Sequence, residues 1–323
     1  MAADGAVTAV VVGSRDDEHA RQVTDRLASG TWATVDAESL TQRRYRLDRD
    51  GLWLGGSPHE PGDSASRIGP RSRGWLRRLA PPDWQRGVVL DTLESATKTS
   101  WLTLLTAFVR TSGVEWLTGL DALNTAENKM LQYRAALTLG VPTPRTAVVS
   151  DRACLEPGFP HRIVVKPLGP GHFTDPAGEG QVVFATAMSL DDPRLEKLPG
   201  APFIVQELVE AHTHLRVVTV ADRLWACVVD AADVPFDWRR KSAAQRSFRH
   251  VNPPGSIADG ARELSNHFRL GYSSQDWIVD RSGKPWFLDL NPSGQWLFLP
   301  EPVSSAVSDA IADWLMRTET NGR

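Results

Sequence analysis

The segment Asp276-Trp-Ile-Val-Asp-Arg-Ser-Gly-Lys-Pro-Trp-Phe-Leu-Asp289-Leu-Asn291 concentrates more chemistry than any other in this chain. Asp289 and Asn291 lie two apart in a strand-like pattern, so they share one face while Leu288 and Leu290 point to the other. A four-residue loop from Arg281 to Lys284 would set Asp276 directly opposite Asp289, with Cβ atoms roughly 4.5–5.5 Å apart. Two carboxylates that close repel each other unless a cation lies between them. A hard cation with oxygen ligands meets that need, and Mg2+ suits it better than Ca2+ because few protein ligands are offered. Exposed strand carboxylates, with Asn291 capping a turn, are the competing account.

Lysine is scarce here, six residues against thirty arginines, so its positions carry weight. Lys166 ends the apolar run Ile163-Val164-Val165 and precedes a glycine-rich loop that includes Gly169, Gly171 and Gly180. An ammonium at the mouth of a buried strand can meet phosphate oxygens while loop amides cover them; an ordinary hairpin connection is the alternative. Phe203-Ile-Val-Gln206-Glu207-Leu208-Val209-Glu210 is an apolar strand running into polar residues, able to offer backbone groups to an adenine edge and acids to a ribose. Arg216, within Leu215-Arg-Val-Val, is a lone charge in apolar company and must find an anion, either a phosphate or a structural carboxylate. His212 and His214 lack an evident third ligand for a metal. No Walker loop, complete dinucleotide fingerprint or Gly-x-Ser-x-Gly elbow occurs, and Cys154 and Cys227 sit in apolar sequence, so a nucleophilic serine or cysteine has little support.

These residues need a scaffold, and 323 residues with 41% apolar content suffice for about two domains. A net charge of -3 argues against bulk nucleic-acid binding, and two cysteines cannot build a disulfide framework. The opening has no basic n-region and no stretch reaches the ~18 apolar residues of a membrane span, so the expected location is the cytoplasm, with no membrane partner. Val7–Val12 reads as a buried strand feeding a helix through Leu27. Gly51–Pro82 is rich in glycine and proline, Leu90–Val109 has helical spacing, and the basic stretch from Thr41 to Arg86 reads as an irregular, partly exposed surface. Between Thr41 and Arg86 ten arginines face five acids, either a solvated face or a dock for an acidic peptide. Asn124-Thr-Ala-Glu127 resembles a capping box, predicting a helix that turns Met130, Leu131, Ala135 and Leu137 inward and stops at Gly140. Strands follow at Ala147–Val149, Ile163–Lys166, Val182–Ala185 and Phe203–Glu207, then hairpins pairing Leu215–Val220 with Leu224–Val229 and Trp277–Val279 with Trp286–Leu290.

The order Asn128-Lys129, Lys166-Pro167 with its glycine loop, Gln206-Glu207, Leu215-Arg216-Val217, Asp276, Asp289-Leu-Asn291 resembles the ATP-grasp ligases. A closer similarity is to the ATP-grasp maturases of ribosomal peptides, the graspetide or microviridin-type synthetases. It rests on Ala126-Glu-Asn-Lys-Met-Leu-Gln132, Asp237-Trp238-Arg239 and Asn291-Pro-Ser-Gly-Gln-Trp296, and faintly on Gly74-Trp75-Leu-Arg77-Arg78. The resemblance implies an α/β (α+β) ATP-grasp fold behind an N-terminal pre-ATP-grasp domain. The expected divisions are 1–122, 123–200 with the glycine flap, and 201–323 with the metal site. It implies ATP held by Lys129, Lys166, Gly169, Gly171, Gln206 to Glu210, Arg216 and Asn291, and Mg2+ held by Asp276, Asp289 and Asn291. Lys166, Arg216 and Arg239 would serve the chemistry, while Arg73, Arg77, Arg78, Trp238 and Arg239 would hold a precursor peptide. The implied reaction phosphorylates an Asp or Glu side chain of that peptide and closes an ω-ester with Thr or Ser, or an ω-amide with Lys.

This chain departs from the pattern at Asp289, where a longer Glu is usual, at His214, where an acid often stands, at Leu79 in place of proline, and at Gln275. The shorter Asp289 side chain reduces the reach to metal, which bears on the number of Mg2+ ions held. Two alternatives keep the fold: a ligase adding an amino acid to a protein tail or small metabolite, like the ribosomal-protein glutamate ligases, and a non-catalytic ATP-binding module. A homodimer is compatible with the resemblance.

Overall fold

A computed structural model describes residues 5–55, 65–80, 91–169, 171–174, 179–197, 202–240 and 242–317. The first third contributes β1 (Gly5–Ala6), β2 (Ala9–Val12), α1 (Glu18–Thr24), β3 (Trp32–Val35), α2 (Ala37–Thr41), β4 (Tyr45–Asp48), β5 (Gly51–Leu54), β6 (Ser66–Ile68), β7 (Arg73–Leu76), α3 (Leu93–Thr111) and β8 (Glu115–Trp116). The β-branched run of β2 is buried on both faces because it is the inner strand of a parallel sheet ordered β3-β2-β7-β8. Asp17 accepts hydrogen bonds from the amides of His19 and Ala20 and so starts α1.

The segment from Gly51 to Leu76, expected to be irregular, holds β5, β6 and β7 instead. Its apolar residues are spaced for strands: Leu52, Leu54, Ile68, Trp75 and Leu76 are all buried. Gly74 permits close packing here, since a Cβ on it would lie 2.4 Å from the Trp116 ring. Residues 81–90, the end of the basic stretch and the start of the expected Leu90 helix, lie outside the described residues.

The middle of the chain gives α4 (Leu120–Ala126), α5 (Lys129–Thr138), β9 (Thr146–Val149), β10 (Arg162–Pro167), β11 (His172–Thr174), β12 (Gly180–Val182), β13 (Thr186–Ser189) and β14 (Phe203–Glu207). An antiparallel sheet runs β13-β10-β14-β9, and β11 pairs with β12 as a separate hairpin. The strand expected at Val182–Ala185 falls instead across the link between β12 and β13.

The single helix expected from Asn124 is two. Gly119 precedes α4, and Asn128 starts α5 by accepting from the amides of Met130 and Leu131. The buried face of α5 is Gln132, Tyr133, Ala135 and Ala136, while Leu131 and Leu137 are exposed. The polar Gln132 wins an inward position because its amide donates to Leu290 O at 2.7 Å and accepts from Leu290 N at 2.9 Å, answering backbone groups that no neighbouring strand satisfies.

The last third supplies β15 (Ala211–Val220), β16 (Arg223–Asp230), α6 (Ser242–Gln245), β17 (Arg249–Val251), α7 (Gly255–His267), β18 (Tyr272–Asp280), β19 (Pro285–Asn291) and α8 (Glu301–Met316). Its antiparallel sheet is ordered β17-β16-β15-β18-β19. One face, with Leu215, Val217, Phe287 and Leu290, packs on α5 and α7. The other, with Val218, Val220 and Cys227, shares a core with α8, α1 and β2. Helix α8 therefore ties the C-terminal sheet to the N-terminal unit. The buried Gln275 also finds its reason here: its amide joins Ser265, Ser273, the Ala261 carbonyl and the Trp277 indole in a polar network under α7. No helix among the described residues is long and apolar enough to cross a membrane.

Candidate active site

A cavity of about 600 Å³ opens between the middle sheet and the C-terminal sheet. Strand register puts Arg216 of β15 beside Asp276 of β18, and Asp276 beside Asp289 of β19, a row of three charges across the sheet. The expected opposition of the two carboxylates is present, but the hairpin reaches it indirectly. The turn pairs Val279 with Pro285, one residue out of step, and the extra residue Leu288 restores the pairing as a bulge. The bulge also turns Leu288 onto the cavity wall, where strict alternation had sent it away with Leu290. Tyr133 of α5 donates its hydroxyl to Leu288 O at 3.1 Å and so supports the bulge. Nothing singled Tyr133 out in the sequence except its place one helical turn after Lys129.

Arg216 is buried and donates through Nη1 to Asp276 Oδ1 at 2.9 Å. Its guanidinium lies 5.4 Å from the Trp238 ring centroid and 5.5 Å from that of Phe298, and its buried Nε has no partner among the described residues. Arg216 therefore has a carboxylate partner, and its Nε, without a partner among the described residues, leaves capacity for an anion. Lys129, the first residue of α5, brings its ammonium within 4.0 Å of Asp289 Oδ2. Lys166 donates to Gln206 Oε1 at 2.7 Å, and Gln206 in turn donates to Thr146 Oγ1 at 2.9 Å, fixing the amide so that its oxygen faces the lysine. Burial pushes the Lys166 pKa below the ordinary lysine value; Asp289 pulls it back up while Arg239 adds to the depression.

Gln206, Glu207, Leu208, Val209 and Glu210 all line the cavity. The amides of Glu207 and Leu208 already donate to the carbonyls of Arg145 and Arg162, so an adenine edge would have to use the segment's other backbone groups. Trp238 is buried on the wall among Phe248 and Phe298. Arg239 forms a two-pronged pair with Asp237, Nε to Oδ1 at 2.8 Å and Nη2 to Oδ2 at 2.7 Å. Burial alone would raise the Asp237 pKa, yet the Arg239 bonds and the Ala185 amide outweigh it and hold it below the usual value. The same hydrogen bonding raises the Arg239 pKa.

Asn291 is not on the cavity wall; its Nδ2 faces Asp289 Oδ2 at 3.5 Å. Gly169 is exposed, and Gly171 packs where a Cβ would meet Val183 O at 2.9 Å. The glycine-rich stretch from Gly169 to Gly180, expected to act as a flap, holds the β11–β12 pairing, and residues 170 and 175–178 lie outside the described residues. His214 also lines the cavity; burial lowers its pKa while Asp276 and Asp237 act to raise it. Among the described residues no three or more His, Cys, Asp or Glu gather as a metal-holding group. Cys227 is buried with its thiol pushed up to about 12 by burial, whereas Cys154, expected in apolar surroundings, is exposed.

The three arginines expected to hold a peptide are elsewhere. Arg77 is buried, with Nε 3.2 Å from Asp17 Oδ2, and Arg78 Nε lies 3.5 Å from the same oxygen. Arg73 pairs with Glu115 at 2.8 Å and stacks 5.0 Å from the Trp314 ring centroid. Paired or buried in this way, they do not form the open basic surface that the sequence suggested.

The oxygen donors of the row are hard, and Asp276, Asp289 and Asn291 together are an incomplete shell. Such a set fits Mg2+ that takes its remaining ligands from phosphate oxygens and water.

No protein-family model matches the sequence. No curated protein matches it either. Solved structures do. A Chryseobacterium gregarium RiPP-associated ATP-grasp ligase, in complex with ADP and a leader and core peptide, aligns over 96% of this chain and 96% of its own with TM-score 0.81 and 18% identity. A macrocyclase from Microcystis aeruginosa MRC bound with its precursor peptide aligns over 95% of this chain and 99% of its own, with TM-score 0.77 and 21% identity. The ATP-grasp ligase PsnB, complexed with minimal precursor, Mg and ADP, aligns over 96% and 98%, with TM-score 0.71 and 19% identity. At these identities the shared property is the fold, and it is the ATP-grasp fold.

Proposed function

We propose that this protein is an ATP-dependent ligase that activates a side-chain carboxylate of a ribosomally made precursor peptide and joins it to a hydroxyl or amine of the same peptide. The observation that carries this is the convergence on one cavity of Lys129, Lys166, Asp276 and Asp289, with Arg216 beside Asp276, in an ATP-grasp fold. The solved relatives with bound peptide and nucleotide support the choice of substrate.

A carboxylate resists attack because its charge repels nucleophiles and its oxygen leaves poorly. Transfer of the γ-phosphoryl group of ATP to it gives an acyl phosphate and ADP, and attack by a Thr or Ser hydroxyl, or a Lys amine, then expels phosphate and loses a proton. Such transfer rests on positioning and on cations around the phosphate oxygens. Lys129 and Lys166 supply two such cations, and Gln206 holds Lys166 in place. Arg216, fixed by Asp276, offers its free Nε to the transferring group. Mg2+ held by Asp276, Asp289 and Asn291 supplies further charge neutralisation when bound. The β11–β12 hairpin excludes water that would hydrolyse the activated acid. Trp238 and Arg239, locked by Asp237, are the peptide-holding part of the wall.

The test is the purified protein with ATP, Mg2+ and the short peptide encoded beside its gene. ADP release with loss of one water per ring supports the proposal. A linear product that gains an amino acid establishes the alternative ligase, and absence of ADP leaves only a binding module.

A further inference from the structure

After Asn291 the chain makes a tight turn, with Gly294 N donating to Asn291 O at 3.2 Å, and then buries Trp296 completely. The turn lies close over the site's end: a Cβ at Gly294 would sit 2.6 Å from Ser274 Cβ and 3.1 Å from Asn291 Cβ. Three side chains hold its backbone. Tyr272 donates its hydroxyl to Gly294 O at 2.9 Å, Arg77 donates through Nη1 to Ser293 O, and His19 Nε2 accepts from Trp296 N at 3.3 Å. Arg77 and His19 belong to the N-terminal unit, and Asp17 holds both, 3.2 Å from Arg77 Nε and 3.4 Å from His19 Nδ1.

Arg77 is a costly way to fill this space. Its side chain is 1% exposed, and its buried Nη2 has no hydrogen-bond partner among the described residues. Burial lowers its pKa against the pull of Asp17. An apolar side chain could pack beside Trp296 without that desolvation cost. What an apolar side chain cannot do is grip the Ser293 carbonyl.

We propose that Arg77, braced by Asp17, is a positioning residue: it fixes the turn from Asn291 to Trp296 so that the Asn291 amide stands beside Asp289 at the Mg2+ end of the site. This rests on the proposed ATP and Mg2+ chemistry, and it gives the buried arginine a task other than peptide docking. The N-terminal unit thereby sets the geometry of a site built on the C-terminal sheet.

The experiment compares the full chain with Arg77→Met, Arg77→Lys and Ser308→Ala. Ser308 accepts from the Trp296 indole at 3.0 Å in the same core but does not touch the turn's backbone. Each protein is measured for melting temperature, for ATP affinity without Mg2+, and for the MgCl2 concentration giving half-maximal enhancement of ATP binding. Arg77→Met is expected to raise that MgCl2 concentration roughly 10-fold or more, the usual effect of losing a group that orients a metal ligand, with Mg2+-free ATP affinity unchanged. Arg77→Lys recovers part of it, and Ser308→Ala lowers only the melting temperature. If Arg77→Met also lowers only the melting temperature, the positioning role is overturned. If Arg77→Met does not fold, Asp17→Asn reads the same effect, and unaltered Mg2+ dependence there overturns it equally. A wild-type chain whose ATP binding ignores MgCl2 removes the proposed function and this role together, a result distinct from one confined to the variants.

Discussion

Asp276 and Asp289 are both assigned to Mg2+, so replacing either should abolish ATP turnover, but the structure separates them in stability. Asp276→Ala removes the anion bonded to Arg216, whose side chain is 7% exposed and whose Nε has no partner among the described residues. Stranding a buried charge in this way costs about 3–5 kcal/mol. Asp289→Ala removes a 4.0 Å contact with Lys129, whose side chain is 24% exposed, a long amide contact and a longer-range pull on Lys166, but no direct ion pair with a buried guanidinium, and the two contacts are worth about 1 kcal/mol or less. For 323 residues the unfolding entropy is about 0.7 kcal/mol/K, so the expected fall in melting temperature is about 4–7 °C for Asp276→Ala and about 1 °C for Asp289→Ala. Thermal unfolding followed by tryptophan fluorescence, beside an ADP-release assay, measures both effects. The double variant Arg216→Met with Asp276→Leu should recover most of the lost stability while remaining inactive, because neither charge is then stranded. If Asp276→Ala melts no lower than Asp289→Ala, the account of Arg216 as a buried cation held by Asp276 is wrong. Retained turnover in Asp289→Ala would sink its metal role.

Lys166→Met should bind ATP several-fold more weakly. In the wild type, affinity should fall with rising pH earlier than an ordinary lysine would dictate, because burial lowers the Lys166 pKa. Between that lowered value and the ordinary one the unfolded state binds more protons, so the ATP-free protein gains stability as pH rises through the window; a titration of ATP affinity and melting temperature checks both signs. Asp237→Asn loses the paired hydrogen bonds to Arg239 and should lower turnover at least about 10-fold, about 1.4 kcal/mol, with ATP affinity preserved; equal turnover would remove Arg239 from peptide handling. Iodoacetamide on the native protein should label Cys154 and spare Cys227, read by mass spectrometry, and Cys227→Ala should keep its activity. Gln132→Leu should cost about 1–3 kcal/mol by leaving Leu290's backbone groups unpaired, while Leu137→Lys should stay within about 0.5 kcal/mol, both by denaturant unfolding.

Much of the site could be seen in one dimension because its parts lie on strands with strict alternation. The strands that carry Asp276, Asp289, Lys166 and Gln206 follow from short-range pattern, although the hairpin opposes Asp276 to Asp289 through a turn one residue out of step with the expected four-residue loop. The Leu288 bulge could not be seen, because an inserted residue leaves no mark until two strands must share a ladder. The buried face of α5 departs from its apolar pattern for a related reason. Counting apolar residues favours Leu131 and Leu137, yet the helix turns Gln132 inward toward a strand edge 158 residues away in sequence.

Arg77 shows the same limit from the other side. Its neighbours in sequence, Arg71, Arg73 and Arg78, made it look like part of an open basic surface. Its neighbours in space, Asp17, Ser293 and Trp296, make it a buried brace between the first and last parts of the chain. From sequence alone came most of the strands after Ala147 and the residue types that could gather around a phosphate, since hydrophobic periodicity and charge report what a residue meets within its own element, while the class of fold came from the resemblance carried by the motif order. Which charges are stranded, which are paired, and which unit holds the turn at Asn291 were decided only in three dimensions, because a buried polar group takes its partner from whatever distant segment the fold brings within hydrogen-bond reach.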